Sequence, residues 1–183
     1  MDLVWKLLFN KYLQKNGSPL IIRMARETIL ILDKEPYTQW TLKALLESEK
    51  YLVLAVDTVK RALQCFREFE VSALITEYRI DYTALPEIIR ELKKTFPELY
   101  VMMVTQENLD NKEYKRVMKA GVENLFLKPF STEKILIHLE KGLRFRKIFI
   151  QKRQLEKKLN QIRANRAVYE VPSGENSQSN NRP

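Results

Sequence analysis

Between residues 27 and 140 the apolar positions follow two alternating rhythms. Short, continuous, β-rich apolar runs predict strands buried on both faces: TILILD (28–33), YLVLAV (51–56), SALITE (72–77), LYVMMVT (99–105) and the shorter VENLFL (122–127). Amphipathic stretches separate them. Residues 37–48 carry Trp40, Leu42, Leu45 and Leu46 at helical spacing. Residues 58–69 place Val59, Leu63 and Phe66 on one face, with Thr58 as a helix N-cap. Residues 85–96 turn Ile88, Ile89 and Leu92 inward and stop before Pro97. Residues 111–120 end at Gly121, a residue suited to the left-handed C-terminal cap. A last helix starts near Ser131 and meets no break signal until about Arg166.

Five strands alternating with five helices predict an α/β domain, a parallel sheet with helices on both faces. In such a sheet the working face lies at the carboxyl ends of the strands. The positions to inspect are therefore Asp33, Lys34 and Glu35, Asp57, Glu77, Thr105 and Lys128.

Those positions carry a pattern. ILILDKEP, SALITEYR, MMVT and AGVENLFLKPF, in that order, resemble the receiver domain of bacterial response regulators, the CheY-like family, over about residues 27–142. The resemblance implies a flavodoxin-like, doubly wound five-stranded parallel sheet of order 2-1-3-4-5, here with a long C-terminal helical extension. It implies an aspartate after the third strand that a histidine kinase phosphorylates, and two acids after the first strand that hold magnesium. It also implies a Thr or Ser after the fourth strand and a Lys after the fifth that contact the phosphoryl group. An aromatic on the fifth strand repacks as the switch.

The chain departs from that pattern where the chemistry sits. Glu77 stands at the phosphoacceptor position, Lys34 replaces the second magnesium-binding acid, and Leu125 occupies the aromatic switch position. Asp33, Thr105 and Lys128 match, and the resemblance makes Lys128–Pro129 a cis peptide. A glutamate places its carboxylate about 1 Å or more from an aspartate's, and misplacement on that scale costs roughly a hundredfold in rate. Magnesium binds through one or two carboxylates plus waters and phosphate oxygens, and Lys34 brings a cation to its place. We therefore expect a degenerate phosphorylation pocket of Asp33, Lys34, Glu77, Thr105 and Lys128. In it Lys34 and Lys128 pair with Asp33 and Glu77, and Glu35 either faces the rim or joins the pairing. No cofactor is expected; magnesium, if held at all, would be held weakly by Asp33 and Glu77. Glu77 has two readings, a mimic of the phosphorylated state pushing toward Thr105 and Lys128, or part of a rigid docking scaffold. Leu125 favours the scaffold. Thr105 has no histidine base beside it, so it is expected to satisfy a strand end rather than act as a nucleophile.

Composition bounds the rest. The chain has 183 residues, 45% apolar and 30% charged, as in a globular protein, and no apolar run approaches the length of a membrane-spanning helix. Its one cysteine, Cys65, excludes an intramolecular disulfide framework and fits a reducing cytoplasm, and Cys65 reads as a structural thiol. Its one histidine, His138, has no second ligand nearby for a zinc site. The opening residues lack a basic leader and a small-residue cleavage site, so they do not read as a signal peptide.

The net charge is +9 and unevenly placed. Residues 141–166 carry +9, residues 1–26 carry +4, and residues 27–140 carry −3. The expected organisation is an N-terminal amphipathic helix and linker (1–26), the receiver-like domain (27–142), a basic helical extension (143–166) and a polar tail (167–183). Phe145, Ile148, Leu155, Leu159 and Ile162, with Lys152 in the gap, form a heptad ladder of about two and a half repeats. That ladder makes 145–162 a candidate homodimer surface. Residues 3–15 are a candidate membrane-surface helix, a partner-docking helix or a helix packed on the receiver, with Met24 as an alternative start.

The reading is a cytoplasmic response-regulator-like protein of a two-component phosphorelay, non-enzymatic, with a histidine kinase or downstream target as partner. It acts through protein–protein contact without needing phosphorylation. The alternatives are a conventional phosphorylatable regulator, or a binder of nucleic acid or anionic membrane through the basic helix. Nucleic acid is disfavoured, because the helix has only Phe145 and Phe149 as aromatics.

Overall fold

The computed structural model describes residues 27–169, with side chains to residue 165. The N-terminal helix expected at 3–15, the Met24 start and the tail from 170 lie outside the described residues. In chain order the elements are β1 (Thr28–Leu32), α1 (Pro36–Ser48), β2 (Leu52–Val56), α2 (Val59–Glu68), β3 (Val71–Thr76), β4 (Arg79–Ile80) and β5 (Thr83–Ala84). Then follow α3 (Pro86–Thr95), β6 (Tyr100–Thr105), α4 (Asn111–Ala120), β7 (Asn124–Leu127) and α5 (Thr132–Tyr169).

Five strands form one parallel sheet in the order β2-β1-β3-β6-β7. Leaving aside the small antiparallel pair β4–β5, this is the expected 2-1-3-4-5 order. The alternation of side chains along each strand divides the core in two. Leu30, Leu32, Leu74, Val101 and Met103 face α2, α3 and α4, against Leu63, Phe66, Ile89 and Val117. Ile29, Ile31, Ile75, Met102 and Val104 face the other way, against Leu42 and Leu46 of α1 and Ile135, Leu139 and Leu143 of α5. Each such aliphatic side chain gains about 1.5–3 kcal/mol from burial, so both faces of β1, β3 and β6 are held firmly. The strand ends then become well-placed mounts for side chains.

Local signals act where the sequence puts them. Thr58 accepts a hydrogen bond from the Arg61 N–H at the start of α2, and Gly121 closes α4 at φ 103°. Asp110 and Glu113 cap α4 reciprocally. Gly142 matters for packing rather than for backbone freedom: a Cβ there would lie 2.2 Å from the Tyr100 ring. The glycine lets α5 close over β6.

One expectation is corrected. Trp40 does not join the buried face of α1; Leu42 and Leu46 do, and Trp40 is 69% exposed. The segment between β3 and α3 is not all loop. It contains the β4–β5 pair, turning at Asp81 with φ 52°.

At the amino edge of the sheet, Glu27 precedes β1 and Glu70 precedes β3. Both reach the buried Arg146 of α5, at 3.5 and 3.2 Å, and Lys147 meets Glu27 at 3.3 Å. The chain divides into two compact units after Lys147. The second unit, taken by itself, is helical from Ile148 to Tyr169, and its side chains from 151 to 165 are all exposed.

Candidate functional site

Backbone pairing continues one residue past three strands. The Asp33 N–H donates to the Val56 carbonyl (3.2 Å), the Glu77 N–H to the Leu32 carbonyl (3.1 Å) and the Lys128 N–H to the Thr105 carbonyl (2.8 Å). These bonds set Asp33, Glu77, Thr105 and Lys128 along the carboxyl edge of the sheet. Lys128–Pro129 is cis.

Lys128 is the centre of the site. Its side chain is 11% exposed, and its Nζ lies 2.8 Å from Asp33 Oδ2, 2.9 Å from Glu77 Oε2 and 3.0 Å from Glu35 Oε2. Burial alone would lower the ammonium's pKa; hydrogen bonds to Asp33, Glu77 and Glu35 outweigh it and hold the group above its ordinary value. The three carboxylates are themselves anchored by local donors. Asp33 Oδ1 accepts from the Glu35 N–H at 2.8 Å, an Asx turn at the strand–helix junction. Glu77 Oε1 accepts from the Tyr78 N–H at 2.8 Å. Glu35 Oε2 accepts from the Thr38 hydroxyl at 2.7 Å; that bond and then Lys128 hold the Glu35 carboxyl below its usual range.

The extra methylene of Glu77 has a visible consequence. The carboxylate bends back over its own following peptide and engages both oxygens, one on Tyr78 N–H and one on Lys128. Thr105 Oγ1, fully buried, accepts from the Glu107 N–H at 3.1 Å. Among the described residues no hydrogen bond joins Glu77 to Thr105.

Lys34 requires a correction. It does not pair with Asp33 or Glu77; it bonds Asp81 at the β4–β5 turn, with both side chains more than half exposed. Asp81 raises its pKa through that hydrogen bond first and its charge second. Asp33 is drawn to its own helix N-terminus and to Lys128, and the Lys34 side chain is left for the rim acid. Glu35 does both things the sequence left open: half-exposed at the rim, it also reaches Lys128. Leu125 packs with the α2–α3–α4 side of the core, while its neighbour Phe126 faces the other side and meets the His138 ring edge-on at 5.3 Å. Cys65 is half-buried beside the core, and burial raises its thiol's pKa.

The pocket's wall includes residues the sequence did not single out. Arg79 Nε donates to Glu107 Oε1 at 3.2 Å, and Asp81 and Glu107 line the opening with Lys34. The carboxylates of Asp33, Glu35 and Glu77 converge on an ammonium. Among the described residues no trio of acidic, cysteine or histidine side chains is arranged to hold a metal ion. The two carboxylates expected to face a magnesium ion, Asp33 and Glu77, are each bonded to Lys128.

A parallel sheet of this order, with a lysine and acids gathered at its carboxyl edge, defines a receiver-type fold. A family model described as the response regulator receiver domain matches residues 29–140, and the chain belongs to that family. Among curated proteins, "Two-component response regulator ORR5" of Oryza sativa subsp. japonica is 29% identical over 104 residues, covering 55% of this chain and 77% of that one. A response regulator receiver domain protein from Clostridium thermocellum superposes with a TM-score of 0.61 at 25% identity, over 67% of this chain and 98% of its own. A CheY-like receiver domain protein from Methanospirillum hungatei JF-1 gives 0.63 at 20% identity, over 67% and 97%. The chain thus contains a receiver domain of two-component systems, a signalling rather than an enzymatic family. No described helix is long and apolar enough to cross a membrane.

Proposed function

We propose that this receiver serves its two-component pathway as a phosphorylation-independent docking module, binding a histidine kinase or a downstream target through a pocket held in one state by its own charges. One observation carries the reading: Glu77, at the phosphoacceptor position, has both carboxylate oxygens engaged, by the Tyr78 N–H and by Lys128.

Phosphoryl transfer needs a free nucleophilic oxygen in line with the phosphorus and cations to neutralise the charge that develops. Attack by Glu77 would come from an oxygen already held by the Tyr78 N–H or by Lys128, whose bond withdraws charge from the nucleophile. Lys128, which would meet the incoming phosphoryl oxygens, already serves three carboxylates. Lys34 stands where a second metal-binding acid is expected, and the remaining acids lean on Lys128, so magnesium binding at this site is weak and not needed for the fold. Glu77 meets Lys128 without meeting Thr105, which supports the scaffold reading over the phosphoaspartate mimic. Leu125 supports it too, since no aromatic ring is present there to repack.

The test is intact-protein mass after incubation with acetyl phosphate and magnesium, with Glu77→Gln in parallel. The expected result is no phosphoryl adduct on either protein. An adduct on the natural chain that disappears in Glu77→Gln would mean the pocket still accepts a phosphoryl group.

A further inference from the structure

The second compact unit carries a feature the receiver pocket does not use. Along α5, Ile148, Leu155, Leu159 and Ile162 are 60, 61, 52 and 63% exposed, unusual for four large aliphatic side chains on one helix. Their spacing of 7, 4 and 3 puts them, with Lys152, on the a and d positions of successive heptads: Ile148, Leu155 and Ile162 at d, Lys152 and Leu159 at a. Over 148–165, about 27 Å of helix, this stripe occupies two positions in seven, widened only at its first turn by Phe149 and Ile150. From 151 to 163 no other position is a large apolar residue.

The flanks decide what covers it. Residues 148–165 hold five bases, Lys152, Arg153, Lys157, Lys158 and Arg163, against one acid, Glu156. Glu156 lies 3.9 Å from Lys152, a loose exposed pair. Lys158 and Arg163 occupy the g and e positions that border the seam, and among the described residues neither has an ion-pair partner. A second copy is a poor fit. Parallel pairing would set Lys152 against Lys152 inside the seam and Lys158 against Arg163 at its border, and antiparallel pairing would still bring two +4 stretches to the 8–10 Å of packed helices. A lipid surface suits a broad apolar face, and this stripe is the narrow one of a helix–helix seam. Nucleic acid would leave the four aliphatic residues unused.

We propose that α5 from Ile148 to Ile162 is the docking strip for an acidic amphipathic helix of another protein, forming a short heteromeric coiled coil. The partner's leucine-type residues would cover Ile148, Leu155, Leu159 and Ile162. Its glutamates would flank Lys158 and Arg163, and one would reach the ammonium of Lys152. The inference deepens the docking role proposed above by giving the partner a chemistry, yet the two fail separately: a phosphoryl adduct at Glu77 would leave the strip untouched.

The probe is a labelled three-heptad peptide with leucine at a and d and glutamate at e and g. It would be titrated into the full chain by fluorescence anisotropy, beside a matching peptide with lysine at e and g. The expected result is saturable binding of the acidic peptide and none of the basic one. Leu155→Gln with Leu159→Gln should weaken binding by tenfold or more, and Lys158→Glu with Arg163→Glu should invert the preference. All four positions are exposed, and circular dichroism would verify that the receiver remains folded. Equal binding of both peptides would overturn the proposal. So would self-association of the full chain that blocks the acidic peptide, or binding to phosphatidylserine vesicles that survives the two Gln substitutions.

Discussion

The two edges of the sheet each gather acids around one buried cation. At the amino edge Arg146 meets Glu27 and Glu70, the residues just before β1 and β3. At the carboxyl edge Lys128 meets Asp33 and Glu77, the residues just after the same two strands, and Glu35 as well. The amino-edge cluster is balanced, because Lys147 also reaches Glu27, giving two cations for two acids. The carboxyl-edge cluster is not balanced: three carboxylates share one ammonium and leave an excess of two negative charges. A cluster that only clasps a helix to a sheet gains nothing from surplus charge, which costs stability through like-charge repulsion. Unbalanced, half-buried charge at the end of a parallel sheet is the mark of a site shaped by something other than stability.

Removing the two cations would sharpen that contrast most. Lys128→Met strands three carboxylates that face one another, and a loss of about 3 kcal/mol is expected. Arg146→Met should cost only about 1 kcal/mol, because Glu70 is exposed and Glu27 retains Lys147. Urea denaturation of both variants gives the comparison, and equal losses would erase the distinction between pocket and clasp.

How much of this was legible in the sequence follows from what each residue depends on. The five strands were readable because β1, β3 and β6 are buried on both faces and so appear as unbroken apolar runs; their order came only from the family resemblance, since an apolar run does not say which strand lies beside it. The β4–β5 pair was not, since two-residue strands have no period to detect. Trp40 was misplaced because its spacing from Leu42, Leu45 and Leu46 fits a helix, yet spacing alone does not say which side faces the sheet. At the site, Asp33, Glu77, Thr105 and Lys128 were found because strand ends locate them. The partner of Lys34 was not, because Asp81 lies 47 residues away across a turn whose geometry the sequence does not display. The role of Glu35 was seen only in part, since its reach to Lys128 depends on the strand–helix turn that Asp33 builds.

The next effect is in pH. Glu35 has its carboxyl pKa lowered, chiefly by the Thr38 hydroxyl and then by Lys128, from an ordinary value of 4.5. Its contribution is therefore present above pH 4.5 and lost as the pH falls through the lowered value. Glu123, on the loop between α4 and β7, has its pKa raised by burial against the opposing pull of Lys93. Its contribution is present below the ordinary value and lost as the pH rises through the raised one. Stability profiles from about pH 3 to 7 for Glu35→Gln and Glu123→Gln should change in opposite directions, the first flattening the acid limb and the second flattening the loss above it.

The smallest expected effect is at Lys34. Its partner Asp81 is as exposed as it is, so Lys34→Ala should shift stability by no more than about 0.5 kcal/mol by thermal or urea unfolding. A loss comparable to that of Lys128→Met would mean that Lys34 belongs to the pocket after all.

The carboxylates of Asp33, Glu35 and Glu77 are taken up by Lys128, and on the reading proposed here they are not open to a metal and a phosphoryl group. Two backbone amides report on it directly, because the Glu35 N–H donates to Asp33 and the Tyr78 N–H to Glu77. Magnesium titration followed by the amide chemical shifts of Glu35, Tyr78 and Lys128 is the most direct measurement. No saturable shift is expected up to about 10 mM magnesium. Saturation of the Glu35 and Tyr78 shifts at about 1 mM or below, abolished by Glu77→Gln, would contradict it.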